Sequence, residues 1–153
     1  MLVVHIPEGP TLELGYLVLD VNGTLTDRGE LIDGVLERLG RLRAQLELHL
    51  LSGDTFGTLE EVARELELTP RRVTLGAEKA EVVRTFGSDH VVVIGNGAND
   101  VPALEAAALG FTIVGPEGAS TAAVRAADVV CRSICDALDL LLDPRALAAT
   151  LRP

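Results

Sequence analysis

The sequence predicts an α/β fold: a Rossmann-like three-layer sandwich, with a central parallel sheet covered by helices on both faces. Three observations lead there. Two short runs, Tyr16–Leu19 and Val91–Ile94, are wholly apolar, and the second is entirely β-branched, as strands buried on both faces read. Strand-sized apolar runs then alternate with segments of helical period, the pattern of a sheet built by crossovers. Several of these runs end on polar residues and glycine, at the edge where open α/β sheets bind ligands.

Taken in order, residues 2–6 and 11–14 alternate weakly around Pro7-Glu8-Gly9-Pro10, which predicts a hairpin ahead of the main sheet. Gly15 separates it from the Tyr16–Leu19 strand, which ends on Asp20. Asn22-Gly23 turns the chain; a strand followed by a two-residue hairpin turn is the other reading of that dipeptide. Thr24–Ile32, with Asp27-Arg28-Gly29 inside, predicts a small flap hairpin. From Asp33 a helix puts Val35, Leu36, Leu39, Leu42 and Leu46 on one face. Leu48–Leu51 is the next strand and runs into Ser52-Gly53-Asp54-Thr55. Leu59, Val62, Ala63 and Leu66 mark a helix, with Thr58 and Glu61 as a candidate capping box and Pro70 beyond its end. Arg72–Leu75 reads as a short strand. The following helix carries Lys79 in its first turn, with Ala80, Val83 and Phe86 inward. Val91–Ile94 ends in Gly95-Asn96-Gly97-Ala98-Asn99-Asp100, where a helix opens with Asn99 as candidate N-cap and Pro102 in its first turn. Phe111–Val114, a helix from Ala119, Asp128–Cys131 and a helix over Ser133–Leu142 complete the alternation. Asp143-Pro144 sets off a last short helix.

The chain has 153 residues, 48% of them hydrophobic. That predicts a single domain over 1–153, its hairpin 1–15 appended to the core, burying roughly two thirds of its surface. A net charge of −10 argues against nucleic acid or an anionic membrane as partner. No apolar run is long enough for a membrane span and no signal peptide is visible, so a cytoplasmic protein is expected. Cys131 and Cys135 read as small core residues. The thirteen basic residues are twelve Arg and one Lys. Wherever a generic cation is wanted this chain uses Arg, which singles out Lys79 as a candidate compact point charge.

Four polar clusters fall at strand ends or helix starts: Asp20 with Asn22 and Thr24, Ser52 with Asp54, Lys79, and Asn96 with Asn99 and Asp100. Each has a plain structural explanation. Ser52 and Asp54 can cap a helix, Asp100 can complement a helix dipole, and Gly95 and Gly97 can simply turn the chain. Together they supply a carboxylate nucleophile, a hydroxyl donor, an ammonium and metal-ligand oxygens, the components of phosphoryl transfer. The glycine loop is not a dinucleotide fingerprint, because the third glycine position is Asp100.

The segments DVNGTLTD, LLSGDT, GAEKAEVV and VIGNGANDVPALEAAALGFTIVG resemble the four ordered motifs of the haloacid dehalogenase (HAD) superfamily, across residues 16 to 142. Within it they look like the phosphorylation domain of P-type ATPases, here as a soluble, capless form. The resemblance implies a Mg²⁺-dependent phosphohydrolase that works through an aspartyl phosphate on a small phosphorylated molecule. It implies Asp20 as nucleophile, Ser52 as donor to the phosphoryl oxygens and Lys79 as the neutralising cation. Asn22, Gly23, Thr24 and Gly53 would surround the phosphoryl group. Mg²⁺ would be held by Asp20, the Asn22 backbone carbonyl, Asn96 and Asp100. Two departures stand out. Asn22 occupies the place of an acid/base Asp, and Asn96 that of a metal-binding Asp, which implies slow turnover and weakened metal binding. They also favour a different class of function, a catalytically impaired HAD-fold binding or regulatory module. About thirty residues separate Asp20 from Ser52, too few for a cap or a nucleotide-binding domain. Capless relatives often oligomerise to cover the site, so a homo-oligomer is expected.

Overall fold

The computed structural model describes all residues, Met1–Pro153. The chain opens with an antiparallel hairpin, β1 (Leu2–His5) and β2 (Thr11–Leu14). β3 (Tyr16–Asp20) enters the main sheet and is followed by a two-stranded flap, β4 (Thr26–Asp27) and β5 (Glu30–Leu31). The flap turn has left-handed backbone at both Arg28 (φ 48°) and Gly29 (φ 90°), the turn that matches strand twist in a tight hairpin. Then come α1 (Val35–Leu42), β6 (Glu47–Ser52), α2 (Leu59–Glu65), β7 (Pro70–Arg72), α3 (Gly76–Phe86) and β8 (Val91–Gly95). The chain finishes with α4 (Val101–Ala106), β9 (Leu109–Ile113), α5 (Thr121–Ala126), β10 (Val129–Cys131), α6 (Ile134–Leu142) and α7 (Pro144–Leu151).

The six main strands are all parallel, in the order β10-β9-β8-β3-β6-β7. The period-2 alternation of side chains divides the core into two. Leu17, Leu19, Leu48, Leu50, Val92 and Ile94 face a large cluster with α1, α2, α6, α7 and the N-terminal hairpin. Val18, Leu51, Val91 and Val93 face a smaller one with α3, α4 and α5. The three-layer α/β sandwich is therefore the observed fold. Only the flap and α1 lie between β3 and β6, so no cap is inserted there. β3 is central, which puts Asp20 at the middle of the sheet's carboxyl edge.

Several local readings differ from the sequence expectation. Leu36 is 50% exposed, because α1 turns Val35, Leu39 and Leu42 inward and leaves the next position on the flank. The β7 strand sits at Pro70–Arg72 rather than Arg72–Leu75, paired with Leu50–Ser52. Proline is tolerated there as the first residue of an edge strand. Thr74 and Leu75 instead lead into α3, with Leu75 at its N-cap position and both N–H groups held by Glu78 Oε2. Thr58 does not cap α2 through its hydroxyl, which is buried without a partner; Asp54 Oδ1 accepts the Leu59 N–H instead, at 2.9 Å. Asn99 does not cap α4. It lies in a 3-10 turn over Ala98–Asp100, and α4 begins one residue past Asp100. Cys131 is buried, as expected, and burial pushes its thiol up to about 11. Cys135 is only half-buried, its thiol on the Asp33 carbonyl at 3.4 Å.

Candidate active site

Beyond Asp20 the backbone folds tightly. The Val21 carbonyl collects the N–H groups of Thr24, Leu25 and Thr26 and the Thr26 hydroxyl, and Gly23 takes φ +78°. Asn22-Gly23 thus makes a polar loop at a strand end and not a hairpin turn. A Cβ at Gly23 would run into the Asn96 side chain, so this close approach needs glycine. The loop turns Thr24 back towards the strand end. Its hydroxyl lies 3.1 Å from Asp20 Oδ2 and 3.3 Å from Asn96 Oδ1. The hydroxyl is within donating distance of both acceptors, so these two oxygens converge on one place.

Lys79 reaches the same place from α3. Its ammonium is 2% exposed and bridges Asp20 Oδ1 at 2.8 Å and Asp100 Oδ1 at 2.6 Å. Asp100 Oδ2 accepts the backbone N–H groups of Asn96 (3.0 Å) and Gly97 (2.9 Å). Both Asp100 oxygens are engaged, and the residue ties the β8–α4 loop to Lys79. Two buried carboxylates therefore share one cation. Burial and the Asp100 charge push Asp20 up to about 7, against the opposing pull of Lys79 and Thr24. Burial works against the Lys79 charge, but the two carboxylates outweigh it and hold its pKa above the ordinary lysine value.

Ser52, at the end of β6, accepts the Asp54 N–H at 2.9 Å and lies 3.4 Å from Asn22 Nδ2. With its acceptor positions used, its own proton is free to point into the cleft. Asp54, at φ +57°, is turned away: its carboxylate holds the Leu59 N–H and pairs with Arg72. Asn96 Nδ2 donates to the Gly118 carbonyl at 3.1 Å, which aims its Oδ1 at Thr24. A cleft of about 240 Å³ opens over these groups, lined by Asp20, Asn22, Ser52, Gly53, Asn96, Gly97 and Asn99, and at its rim by Thr55, Phe56 and Glu117. The expected site residues Asp20, Asn22, Thr24, Ser52, Lys79, Asn96 and Asp100 are thus brought to one point. Gly23 braces the loop and Gly53 lines the cleft. Glu117 and Phe56 were not anticipated; Gly115-Pro116-Glu117-Gly118 reads in sequence only as a turn.

No three His, Cys, Asp or Glu side chains converge to hold a metal. The donor set that does face the cleft is oxygen: the Asp20 carboxylate, Asn96 Oδ1 and the Asn22 carbonyl, which accepts no hydrogen bond in its loop. Such donors suit a hard divalent cation, and the excess negative charge at Asp20 fits one as well.

Gly95 offers a direct check on the site's packing. A Cβ there would meet the Asp100 carboxyl group. Gly95→Ala is expected to displace Asp100 from Lys79, costing about 1–3 kcal/mol by overpacking. Urea unfolding measures this, and wild-type stability in the variant would show that the Asp100 bracket is loose.

A family profile described as haloacid dehalogenase-like hydrolase matches residues 8–108. An uncharacterized protein of Methanocaldococcus jannaschii is 45% identical over 62 residues, 40% of this chain and 67% of its own length. The manganese-exporting P-type ATPase of Mycobacterium leprae is 36% identical over 140 residues, 86% of this chain but 19% of the ATPase. The chain thus spans a small fraction of the ATPases it matches, 8% of a cation-transporting one from Oryza sativa and 9% of a copper-transporting one from Arabidopsis thaliana. In fold it is similar to the 3-deoxy-D-manno-octulosonate 8-phosphate phosphatase of Moraxella catarrhalis, solved with magnesium, phosphate and KDO. The TM-score is 0.66 at 18% identity, over 91% of this chain and 94% of that one. No helix here is long and apolar enough to cross a membrane. With the parallel sheet, the strand-end Asp20 and the profile match over two thirds of the chain, the protein belongs to the haloacid dehalogenase-like hydrolase family, in a form related to the P-type ATPases.

Proposed function

We propose that this protein is a Mg²⁺-dependent phosphohydrolase that acts on a small phosphorylated molecule through an aspartyl phosphate at Asp20. The observation that carries the reading is the buried Asp20–Lys79–Asp100 bracket, opening on a cleft that also holds the Ser52 hydroxyl. Asp20 attacks phosphorus, the ester oxygen leaves, and water then cleaves the acyl phosphate and regenerates the carboxylate. Ser52 and Lys79 donate to the phosphoryl oxygens as charge shifts onto them. Gly53 leaves room beside them, and Asn22, Gly23 and Thr24 shape the floor. Bound Mg²⁺, held by Asp20, Asn96 and the Asn22 carbonyl, would add positive charge against the phosphoryl oxygens. Asp100 acts one layer out, by fixing Lys79 and the Asn96 loop. The phosphatase relative with bound magnesium and phosphate supports this reading by fold.

No residue of the β4–β5 flap lines the catalytic cleft, so the same reading takes the working form as a homo-oligomer whose second copy covers the cleft, in a reducing cytoplasm. The test is a panel of phosphate esters with and without Mg²⁺, together with mass-spectrometric detection of a phosphoryl or beryllofluoride adduct on Asp20. Turnover that needs both Mg²⁺ and Asp20 is expected. An inert protein that still binds phosphate analogues would point to the binding-module role instead.

A further inference from the structure

We propose that Glu117 is the proton carrier of this site, the carboxyl group that protonates the leaving oxygen and then relieves the attacking water of a proton. The inference rests on the phosphohydrolase reading above. Asn22 has no proton to give, and its amide is directed at Ser52 Oγ. The other carboxylates near the strand ends are committed. Asp100 is saturated by Lys79 and two backbone N–H groups. Asp54 is taken by the Leu59 N–H and Arg72. Asp27 pairs with Arg28 and lines a separate cavity of about 380 Å³ behind the flap. Glu117 is the one carboxylate besides Asp20 that lines the catalytic cleft.

Its position is built. The Gly118 carbonyl beside it accepts from Asn96 Nδ2 at 3.1 Å, which anchors the turn to the group proposed to face the metal. Glu117 Oε2 accepts the Arg28 backbone N–H from the flap tip at 3.0 Å, while the Arg28 guanidinium turns to Asp27. One oxygen is thereby fixed, the other is left free, and no cation neutralises the carboxylate. Apart from Asp20 and Glu117, the lining offers only hydroxyls, amides, two glycines and Phe56, none of which gives up and takes back a proton readily.

The steps balance. As an Asp20 oxygen bonds to phosphorus and the P–O bond to the leaving group breaks, the Glu117 proton goes to that oxygen and an alcohol departs. Water then attacks phosphorus, its proton returns to Glu117, the Asp20–phosphorus bond breaks, and inorganic phosphate leaves with both carboxyl groups restored.

Glu117→Gln separates this role from a structural one, because glutamine still offers an oxygen to the Arg28 N–H. With the full chain and Mg²⁺, the first-turnover rate of 4-nitrophenol release from 4-nitrophenyl phosphate should be retained while its steady-state turnover falls, since that leaving group needs no proton but the attacking water still has one to lose. Turnover on alkyl phosphates should fall by about 10²-fold or more, and the phosphoenzyme should persist longer by a similar factor. Asn22→Asp in the Glu117→Gln background puts a carboxyl group back beside Asp20 and should restore alkyl-ester turnover. Alkyl-ester turnover at the wild-type rate in Glu117→Gln, or a loss that Asn22→Asp does not rescue, would overturn the role of Glu117 while leaving the phosphohydrolase reading in place. A wild-type protein with neither turnover nor an adduct on Asp20 would overturn both.

Discussion

Lys79→Ala is expected to abolish turnover and to cost about 3–5 kcal/mol of stability, the typical penalty for removing one partner of a buried ion pair. The reason is the stoichiometry of the bracket. Asp20 and Asp100 are both nearly inaccessible to water, and the Lys79 ammonium is the cation that touches them. Without it, two carboxylates face one another in a poorly solvated site, and one must take a proton for the chain to remain folded. The deficit relative to wild type should therefore shrink as pH falls, since protonation does part of what the ammonium did. Lys79→Arg is not a conservative repair. The planar fork is larger than the ammonium it replaces in a space that is 2% exposed, and overpacking of this kind costs about 1–3 kcal/mol. Urea unfolding at several pH values, paired with turnover, reads both effects. An Arg variant indistinguishable from wild type would mean that the single lysine of the chain holds its place by chance.

How far the sequence exposes this arrangement depends on the range over which each feature is determined. The Val91–Ile94 and Tyr16–Leu19 strands are legible because burial on both faces leaves no room for polar residues, and a run of four apolar side chains records that directly. Lys79 is legible through composition, and Asp20 through its place at a strand end. Errors gather where a side chain chooses between local partners. Thr58 has the right type and spacing for a cap, but its hydroxyl is buried without a partner, and the N–H taken at the start of α2 is that of Leu59, by Asp54 Oδ1. Asp100 could have served the helix that follows it; its carboxylate turns back to the Asn96 and Gly97 N–H groups because Lys79 draws it there. Glu117 is hidden for a different reason. It meets the cleft only because the flap after β3 and the turn after β9 close on each other, a contact 89 residues apart in sequence.

Asp20→Asn is expected to remove all phosphatase activity and, unlike Lys79→Ala, to leave the fold intact. An amide cannot form the acyl phosphate, whereas it occupies the same volume and can still accept a hydrogen bond from Lys79. The sharper prediction is the pH dependence of stability without divalent cation. Asp20 has a folded pKa of about 7 against an ordinary value of 3.8, so the folded state binds its proton more tightly than the unfolded chain does. A carboxylate raised in this way destabilises the fold as it ionises: the wild type loses stability as pH climbs from about 4 to about 7, and the loss is complete above that. Asparagine has nothing to titrate. The stability of Asp20→Asn relative to wild type should therefore rise across that window, by an amount on the order of 2–4 kcal/mol, and level off beyond it. The raised pKa of Lys79 does not enter, since its titration lies above 10.5. Mg²⁺ bound as proposed would supply the missing positive charge beside an ionised Asp20, so at pH 8 it should stabilise the wild type strongly and the variant weakly. Parallel unfolding curves for the two proteins at every pH, with and without Mg²⁺, would show that Asp20 ionises in the fold as it does in water and that the cation is held elsewhere.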